Sequence, residues 1–319
     1  MTGQTITVFG GSGFVGRYVV ARLAARGWVI RVAVRRASRA NFLRPLGLVG
    51  QVTPVPCDVT NQASVARALA GADAAVNLVG ILQEQGSQTF EKVHHQGSRN
   101  IAEAAKAAGI ERLVHISAIG ADANSSASYG RTKAAAESAV RAAVPTAVIF
   151  RPSVIFGPED QFFNRFAAMS RIAPALPLIG GGKTRFQPVY VADVADAVLA
   201  GIERPELAGE TFELGGPRTY SFRDLMVCML RIVERKRRLV PISFGTAKLI
   251  AGLTGWMPQP PITGDQIEML KHDNVVADGA KGFAALGISP HSVEVILPTY
   301  LDRFRPYGRF TRPAQTMQP

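Results

Sequence analysis

The sequence predicts an α/β fold built on a doubly wound parallel sheet, with a smaller, irregular C-terminal part. Three observations carry this prediction. Residues 6–16 read ITVFGGSGFVG: a short β-branched and aromatic run enters Gly10, Gly13 and Gly16, and a helical pattern follows at once. Strand and helix patterns then alternate to about residue 150, and the strands are continuous apolar runs, as in a parallel sheet covered on both faces. Beyond 150 the texture changes, with proline and glycine punctuating RPSVIFGPED, LPLIGGGK and ELGGPRTYS. The chain thus divides into a first unit at 1–150, to which later strands return, a partner- or substrate-facing part at 151–305, and a mobile polar tail at 306–319.

Strands are expected at 5–9, 29–34, 51–55, 73–79, 111–117 and 146–150, and helices at 14–26, 62–70, 88–108 and 128–143. Gly27 and Gly109 stand where helices stop. Two further strands are expected at 185–191 and 211–214, with helices at 192–203, 221–234, 243–255, 263–272 and 291–303. At 319 residues and 47% hydrophobic content the chain can bury a large core. No run of eighteen apolar residues predicts a spanning helix. The first strand begins near Thr5, so no signal or transit peptide is expected and the bacterial cytoplasm is the predicted compartment. Cys57 and Cys228 read as ordinary buried thiols, and neither they nor His95, His115 and His272 have metal-ligand spacing.

The glycine run predicts a phosphate cradle for a dinucleotide, of the Rossmann type. Gly10 permits the tight turn, Gly13 lets the backbone approach a pyrophosphate, and Gly16 lets helix and strand pack closely. Ser12 and Phe14 flank Gly13 at the helix N-terminus, whose N–H groups and dipole favour an anion. The second strand ends RVAVRR. Arg35 and Arg36 occupy positions where NAD-preferring folds carry an acid, and a guanidinium suits a 2′-phosphate. NADP(H) is therefore preferred, with NAD(H) the alternative. Leu78 and Gly80, in NLVG, end the fourth strand at the switch-point edge.

Tyr129 and Lys133, in SYGRTKAAAE, are four residues apart on one predicted helix face. A tyrosine titrates near ~10 when unperturbed. An ammonium beside it is expected to lower that value and make the phenol a usable acid or base.

The spacing G-x-x-G-x-x-G together with Y-x-x-x-K resembles the extended and atypical short-chain dehydrogenase/reductases, which include the nucleotide-sugar epimerases and dehydratases. The resemblance implies that Asp58, followed by Val59, contacts the adenine amino group; the residues alone allow a turn or cap instead. It also implies that Lys133 bonds the nicotinamide ribose. The segment from Arg151, Pro152 and Ser153 to Gly157 and Pro158 would line the nicotinamide side, with Phe156 replacing a tyrosine. Two positions depart from the pattern. Reductases of this kind carry a second hydroxyl at the end of the fifth strand, where this chain has Ala118; Ser117 can substitute only if the strand end shifts by one residue. His94, in VHHQGSRN, stands where epimerase-like members have asparagine.

Longer runs such as FGGSGFVGR, AVNLVGIL, HISAIGAD, PSVIFGPEDQFFNRFA and FQPVYVADVADAV resemble one narrower family over residues 5–305. That family is the NAD(P)H-binding accessory subunit of respiratory complex I, alpha-subcomplex subunit nine, with its bacterial relatives. The resemblance implies a tightly bound, structural NADPH away from the electron path, and an accessory or assembly role beside complex I subunits. The residues leave a second reading open: an NADP-dependent oxidoreductase or epimerase/dehydratase using Tyr129 and Lys133, on a quinone precursor, sterol or sugar nucleotide. Fungal relatives are linked to ubiquinone biosynthesis.

The formal charge is +12, from 36 Lys and Arg against 24 Asp and Glu. Basic residues cluster at 31–44 and 231–238, which favours phosphates, acidic lipid heads or an acidic protein surface. No aromatic–basic interleaving or helix-turn-helix pattern accompanies the charge, which excludes nucleic acid as the expected partner. Residues 239–256 are apolar but for Lys248 and follow the RKRR cluster. They form a short helix that either meets an anionic membrane surface or a hydrophobic subunit, or covers the substrate cleft. The first option makes the protein peripheral on the cytoplasmic face of the inner membrane.

Overall fold

The computed structural model describes residues 3–257, 260–306 and 308. The tail expected to be mobile lies, but for 306 and 308, outside the described residues. In chain order the elements of the first unit are β1 (Thr5–Phe9), α1 (Phe14–Ala25), β2 (Val29–Val34), β3 (Val52–Pro56), α2 (Gln62–Leu69), β4 (Ala74–Asn77), α3 (Gly97–Ala107), β5 (Arg112–Ile116), α4 (Ser128–Ala143) and β6 (Val148–Pro152). There follow β7 (Ile155–Phe156), α5 (Phe163–Ile172), β8 (Ala175–Ile179), β9 (Arg185–Phe186), β10 (Val189–Tyr190), α6 (Val191–Glu203) and β11 (Thr211–Leu214). The chain then forms β12 (Tyr220–Ser221), α7 (Phe222–Ile232), β13 (Arg238–Ile242), α8 (Phe244–Thr254), α9 (Gly264–Met269), α10 (Val293–Ile296) and α11 (Pro298–Leu301).

Seven parallel strands form the central sheet in the order β11-β6-β5-β4-β1-β2-β3. β1 lies between β2 and β4, with Phe9 opposite Ala33 on one side and Asn77 on the other. The loops after β1 and β4 therefore diverge at the switch point, where such sheets receive a ligand. Val8, Val32 and Val114 belong to the core on the α1 and α6 face. Phe9, Ala33 and Leu113 belong to the opposite face, with α2, α3 and α4. Burial on both faces is why these strands read as unbroken apolar runs. A third cluster, built around Phe156, Phe163, Phe222 and Met226, is the core of the C-terminal part.

Several expectations need correction. The helix expected from residue 88 opens with a π-helical turn at Glu91–Gln96 before α3 begins. The strand expected at 185–191 is two separate two-residue strands, β9 and β10, and α6 starts at Val191. The helix expected at 291–303 is broken by Pro298 into α10 and α11. Residues 239–256 are not one helix: 238–242 form β13, which pairs in parallel with β8, and only α8 is helical. Pro177 and Pro241 sit in that ladder, which is confined to two strands, where an unavailable N–H is tolerated. A 3-10 run at Ala37–Leu46 and helix α5 were not expected.

Candidate functional site

The glycine cradle stands at the end of β1. Gly10 has φ +76°, a left-handed backbone that side chains rarely adopt. A Cβ on Gly16 would lie 2.5 Å from the Gly10 carbonyl oxygen and from two backbone atoms of Gly11, so helix and turn touch directly. Gly13 donates its N–H to the Gly10 carbonyl at 2.9 Å and is exposed as the N-cap of α1. No side chain caps that helix, and its first turn carries no acid. Ser12 and Phe14 are half-buried on either side of Gly13. The residues present therefore fit a pyrophosphate: backbone can approach it, N–H groups face it, and nothing negative in the first turn repels it.

The segment after β6 closes over this turn. Glu159 accepts from Tyr18 Oη at 2.9 Å and pairs with Arg17 at 3.2 Å. A Cβ on Gly157 would lie 3.3 Å from the Phe14 ring. Arg35 and Arg36 are exposed at the end of β2, opening the loop that leads to the 3-10 run. Asp58 Oδ1 accepts from the N–H and the hydroxyl of Thr60, at 3.0 and 2.8 Å, which is the turn arrangement the residues alone allowed. Val59 is half-buried, and its carbonyl accepts from Asn100. Leu78 donates its N–H to Phe9, and its carbonyl lies 3.2 Å from where a Gly10 Cβ would stand.

At the far end of the crevice α4 carries Tyr129 and Lys133. Lys133 is buried, and its ammonium donates to the Ile116 carbonyl at 3.1 Å. Burial pulls it down to about 8, against the opposing charge of Glu137, whose carboxylate makes two hydrogen bonds with Arg151. The site brings Gly80 to Lys133 as well: a Cβ on Gly80 would lie 3.5 Å from the ammonium nitrogen and 3.8 Å from His94 Nε2. Tyr129 is half-buried, and its phenol is pushed up to about 12 by burial and then by the charge of Asp265. The expected lowering by Lys133 is not found. The ammonium bonds a main-chain carbonyl, and the charge acting on the phenol is a carboxylate. Tyr129 is therefore a neutral phenol at physiological pH, equipped to donate a proton.

Ser117 directly follows the end of β5. Its N–H donates to Phe150 at 2.7 Å, one residue beyond β5, and Ala118 follows, half-buried. Its hydroxyl is buried and has no hydrogen-bond partner among the described residues. Pro152 accepts from the Ile119 N–H at 3.0 Å. Ser153 is buried, and its hydroxyl lies 2.9 and 2.7 Å from the carbonyl and side-chain oxygens of Asn274.

Three further residues contribute to the site: His94, read from the sequence only as a departure from the pattern, and Asp265 and Asn274, which the sequence did not point to. His94 joins the loop after β4 to α4: Nε2 accepts from the Ile81 N–H at 3.0 Å, and Nδ1 lies 3.2 Å from the Thr132 hydroxyl. Its ring stacks on Phe90 and meets Tyr129 edge-on, with centroids 5.2 and 5.3 Å away. Burial, then Lys133, lowers it to about 3. Asp265, on α9, accepts the N–H groups of Ser128 and Tyr129 at 2.6 and 3.1 Å, and so caps α4 from the C-terminal part. Asn274 joins Ser153, Val154 and Ile119. The departure from asparagine at His94 was the one signal available. The partners of the Asp265 and Asn274 side chains are more than a hundred residues away and leave no local pattern.

Residues 6–215 match the NAD dependent epimerase/dehydratase family. The chain is 36% identical over 320 residues to NADH dehydrogenase (ubiquinone) 1 alpha subcomplex subunit 9 of Arabidopsis thaliana, covering 97% of this chain and 80% of that protein. It is 32% identical over 237 residues to ceramide reductase of Caulobacter vibrioides, covering 74% of this chain and 72% of that protein. In fold it is similar to UDP-glucuronic acid 4-epimerase from Bacillus cereus, solved in complex with UDP-glucuronic acid and NAD. The TM-score is 0.73 at 18% identity, covering 94% of this chain and 99% of that one.

Proposed function

The chain belongs to the NAD dependent epimerase/dehydratase family and, within it, to the group of the alpha subcomplex subunit 9 proteins, and from that premise we propose that it is an NADP(H)-holding accessory or assembly factor of respiratory complex I. The observation that carries this reading is an imbalance between the two halves of the site. What supports the nucleotide half is a glycine cradle whose Cβ positions are closed by backbone, an uncapped helix start, and a buried Lys133 beside Gly80. In this reading the carbonyl half lacks its hydroxyl, because Ala118 stands where the family resemblance expects one and Ser117 is buried. A nicotinamide dinucleotide supplies hydride chemistry when bound. In this reading the chain's residues hold and orient it, and it stabilises the fold. A ligand bound only by the folded state adds about 2.7 kcal/mol at a concentration about 100 times its Kd. Exposed Arg35 and Arg36 support the phosphorylated cofactor over NAD(H).

Two variants test this reading. Gly13→Asp places a carboxylate at the cradle and should lower both stability and complex assembly, whereas Tyr129→Phe should leave cellular respiration unchanged. Respiration lost in Tyr129→Phe with nucleotide affinity intact would transfer the weight to catalysis.

One observation favours that second reading, an NADP-dependent oxidoreductase. The neutral Tyr129 phenol and the buried Lys133 sit one helical turn apart, beside the switch point. There Tyr129 would donate the proton and Lys133 would hold the cofactor ribose.

Attachment to the cytoplasmic face of the inner membrane also belongs to this proposal. Lys236 and Arg238 are exposed, as are Leu249, Leu253 and Trp256 on the stretch that follows. Among the described residues no helix is long and apolar enough to cross a membrane. Lys236→Glu with Arg238→Glu should release the protein from anionic vesicles. Unchanged co-sedimentation would contradict the attachment.

A further inference from the structure

A cleft of about 530 Å³ opens where α7 ends and β13 begins, and no residue of the nucleotide crevice lines it. Its volume is that of a small-molecule site. Four consecutive cations line it: Arg235, Lys236, Arg237 and Arg238. The rest of the lining is apolar, from Pro174, Val227, Leu230 and Leu239. Among the described residues no carboxylate lines it.

The turn that sets up the cation row is strained. Glu234 has φ +53°, and among the described residues it is the one non-glycine with a positive φ. Glycine normally takes that place after a helix. Such strain gathers at functional sites. The turn brings the Arg235 N–H to the Leu230 carbonyl at 3.1 Å, which lays the row against the end of α7. The Glu234 carboxylate does not neutralise the row, because it pairs with Arg305 at 3.2 Å.

Arg235 and Arg237 are half-buried, and each is fixed through its Nε. Arg235 donates to the Phe304 carbonyl at 2.9 Å, and Arg237 to that of Ser170 at 2.7 Å. Arg237 Nη1 also donates to the Lys236 carbonyl. Among the described residues, both Nη atoms of Arg235 and the Nη2 of Arg237 then have no hydrogen-bond partner. Holding two chain segments accounts for the Nε atoms, but not for like charges set side by side. Burial, then Arg237 and Arg171, hold the Arg235 guanidinium below its ordinary value. An anion relieves such crowding, and a fixed guanidinium fork suits phosphate oxygens. Free phosphate would use the cations alone. The apolar lining, where Val227 is 41% exposed, gains burial only from a phosphate that carries hydrocarbon.

We propose, resting on the membrane attachment above, that this cleft binds a single anionic lipid, its phosphodiester on Arg235 and Arg237 and its first methylenes against Val227 and Leu230. General attraction to a charged surface needs only the exposed Lys236 and Arg238. The cleft adds recognition of one headgroup.

The test is titration calorimetry on the full-length protein loaded with NADPH, using dihexanoylphosphatidylglycerol below its micellar concentration. Uptake should saturate at one lipid per protein. Glycerol phosphate lacks the hydrocarbon, and dihexanoylphosphatidylcholine brings an ammonium to the cation row. Each should bind more weakly by about tenfold or more. Val227→Glu, at an exposed position of α7, places a carboxylate in the cleft. It should weaken the lipid to a similar degree while thermal unfolding and NADPH affinity hold. Uptake that never saturates, or that Val227→Glu leaves unchanged, would overturn the proposal. Glycerol phosphate binding as tightly as the lipid would overturn it in favour of a soluble phosphate ester. Co-sedimentation with anionic vesicles reads the attachment separately. Vesicle binding without saturable lipid uptake would overturn the cleft alone, and saturable uptake without vesicle binding would overturn the attachment alone.

Discussion

Tyr129 and Lys133 share a helix face, yet each answers to a different neighbour. Lys133 bonds the end of β5, and Tyr129 meets His94, Phe90 and the field of Asp265. The pair was legible because i and i+4 residues need only a helix to meet. The sign of the phenol's shift was not, because Asp265 arrives from 136 residues away. Beneath them His115 is buried, with Nδ1 3.1 Å from Asn77 and Nε2 unpartnered among the described residues. Burial, then Lys133 and His94, lowers it to about 3. That folded value lies below the unfolded one near ~6.5. Between about pH 6.5 and 3 the unfolded chain therefore binds a proton that the folded chain refuses, and stability falls as pH falls. His115→Leu should flatten this slope, read as the urea midpoint at pH 7 against pH 4.5; an unchanged slope would show that His115 titrates normally in the folded protein. At the other end of the crevice, Arg35→Glu with Arg36→Glu should weaken NADPH by at least about tenfold and leave NADH affinity nearly unchanged, since each charge-assisted phosphate contact contributes on the order of 1–3 kcal/mol. Equal weakening of both cofactors would mean that the loop serves only the general surface charge.

The elements of the sheet were legible because both of its faces are buried, so each strand is an apolar run closed by glycine or polar residues. β8 and β13 were not. Each is a five-residue strand in a two-stranded ladder, with a proline inside, and β13 merges in sequence with the apolar α8. The π-helical turn at Glu91–Gln96 was equally hidden, because a one-residue change of period leaves no compositional mark. Gly16→Ala drives a Cβ into three backbone atoms and should cost about 1–3 kcal/mol, with loss of nucleotide affinity. Thermal unfolding with and without NADPH checks both effects. Asp265→Ala removes the cap of α4 and should cost about 1 kcal/mol in urea unfolding. An unaltered midpoint would mean that water replaces the cap without loss.

Across the whole molecule the two halves are tied by the site itself. β11 returns to pair with β6, α6 packs on the face that holds α1, Glu159 meets Arg17, and Asp265 caps α4. A nucleotide in the crevice would touch elements of both halves, which is the physical sense in which it would be structural. The excess of positive charge was legible from composition, but its distribution was not. Arg235 and Arg237 bond the carbonyls of Phe304 and Ser170, which leaves Lys236 and Arg238 facing outward. The measurement that tests the accessory role most directly is a native gel of mildly solubilised membranes from the source organism, blotted for this protein and stained for NADH dehydrogenase activity. The account predicts co-migration with the active complex. Migration as a small soluble species, with intact complex I elsewhere on the gel, would contradict it.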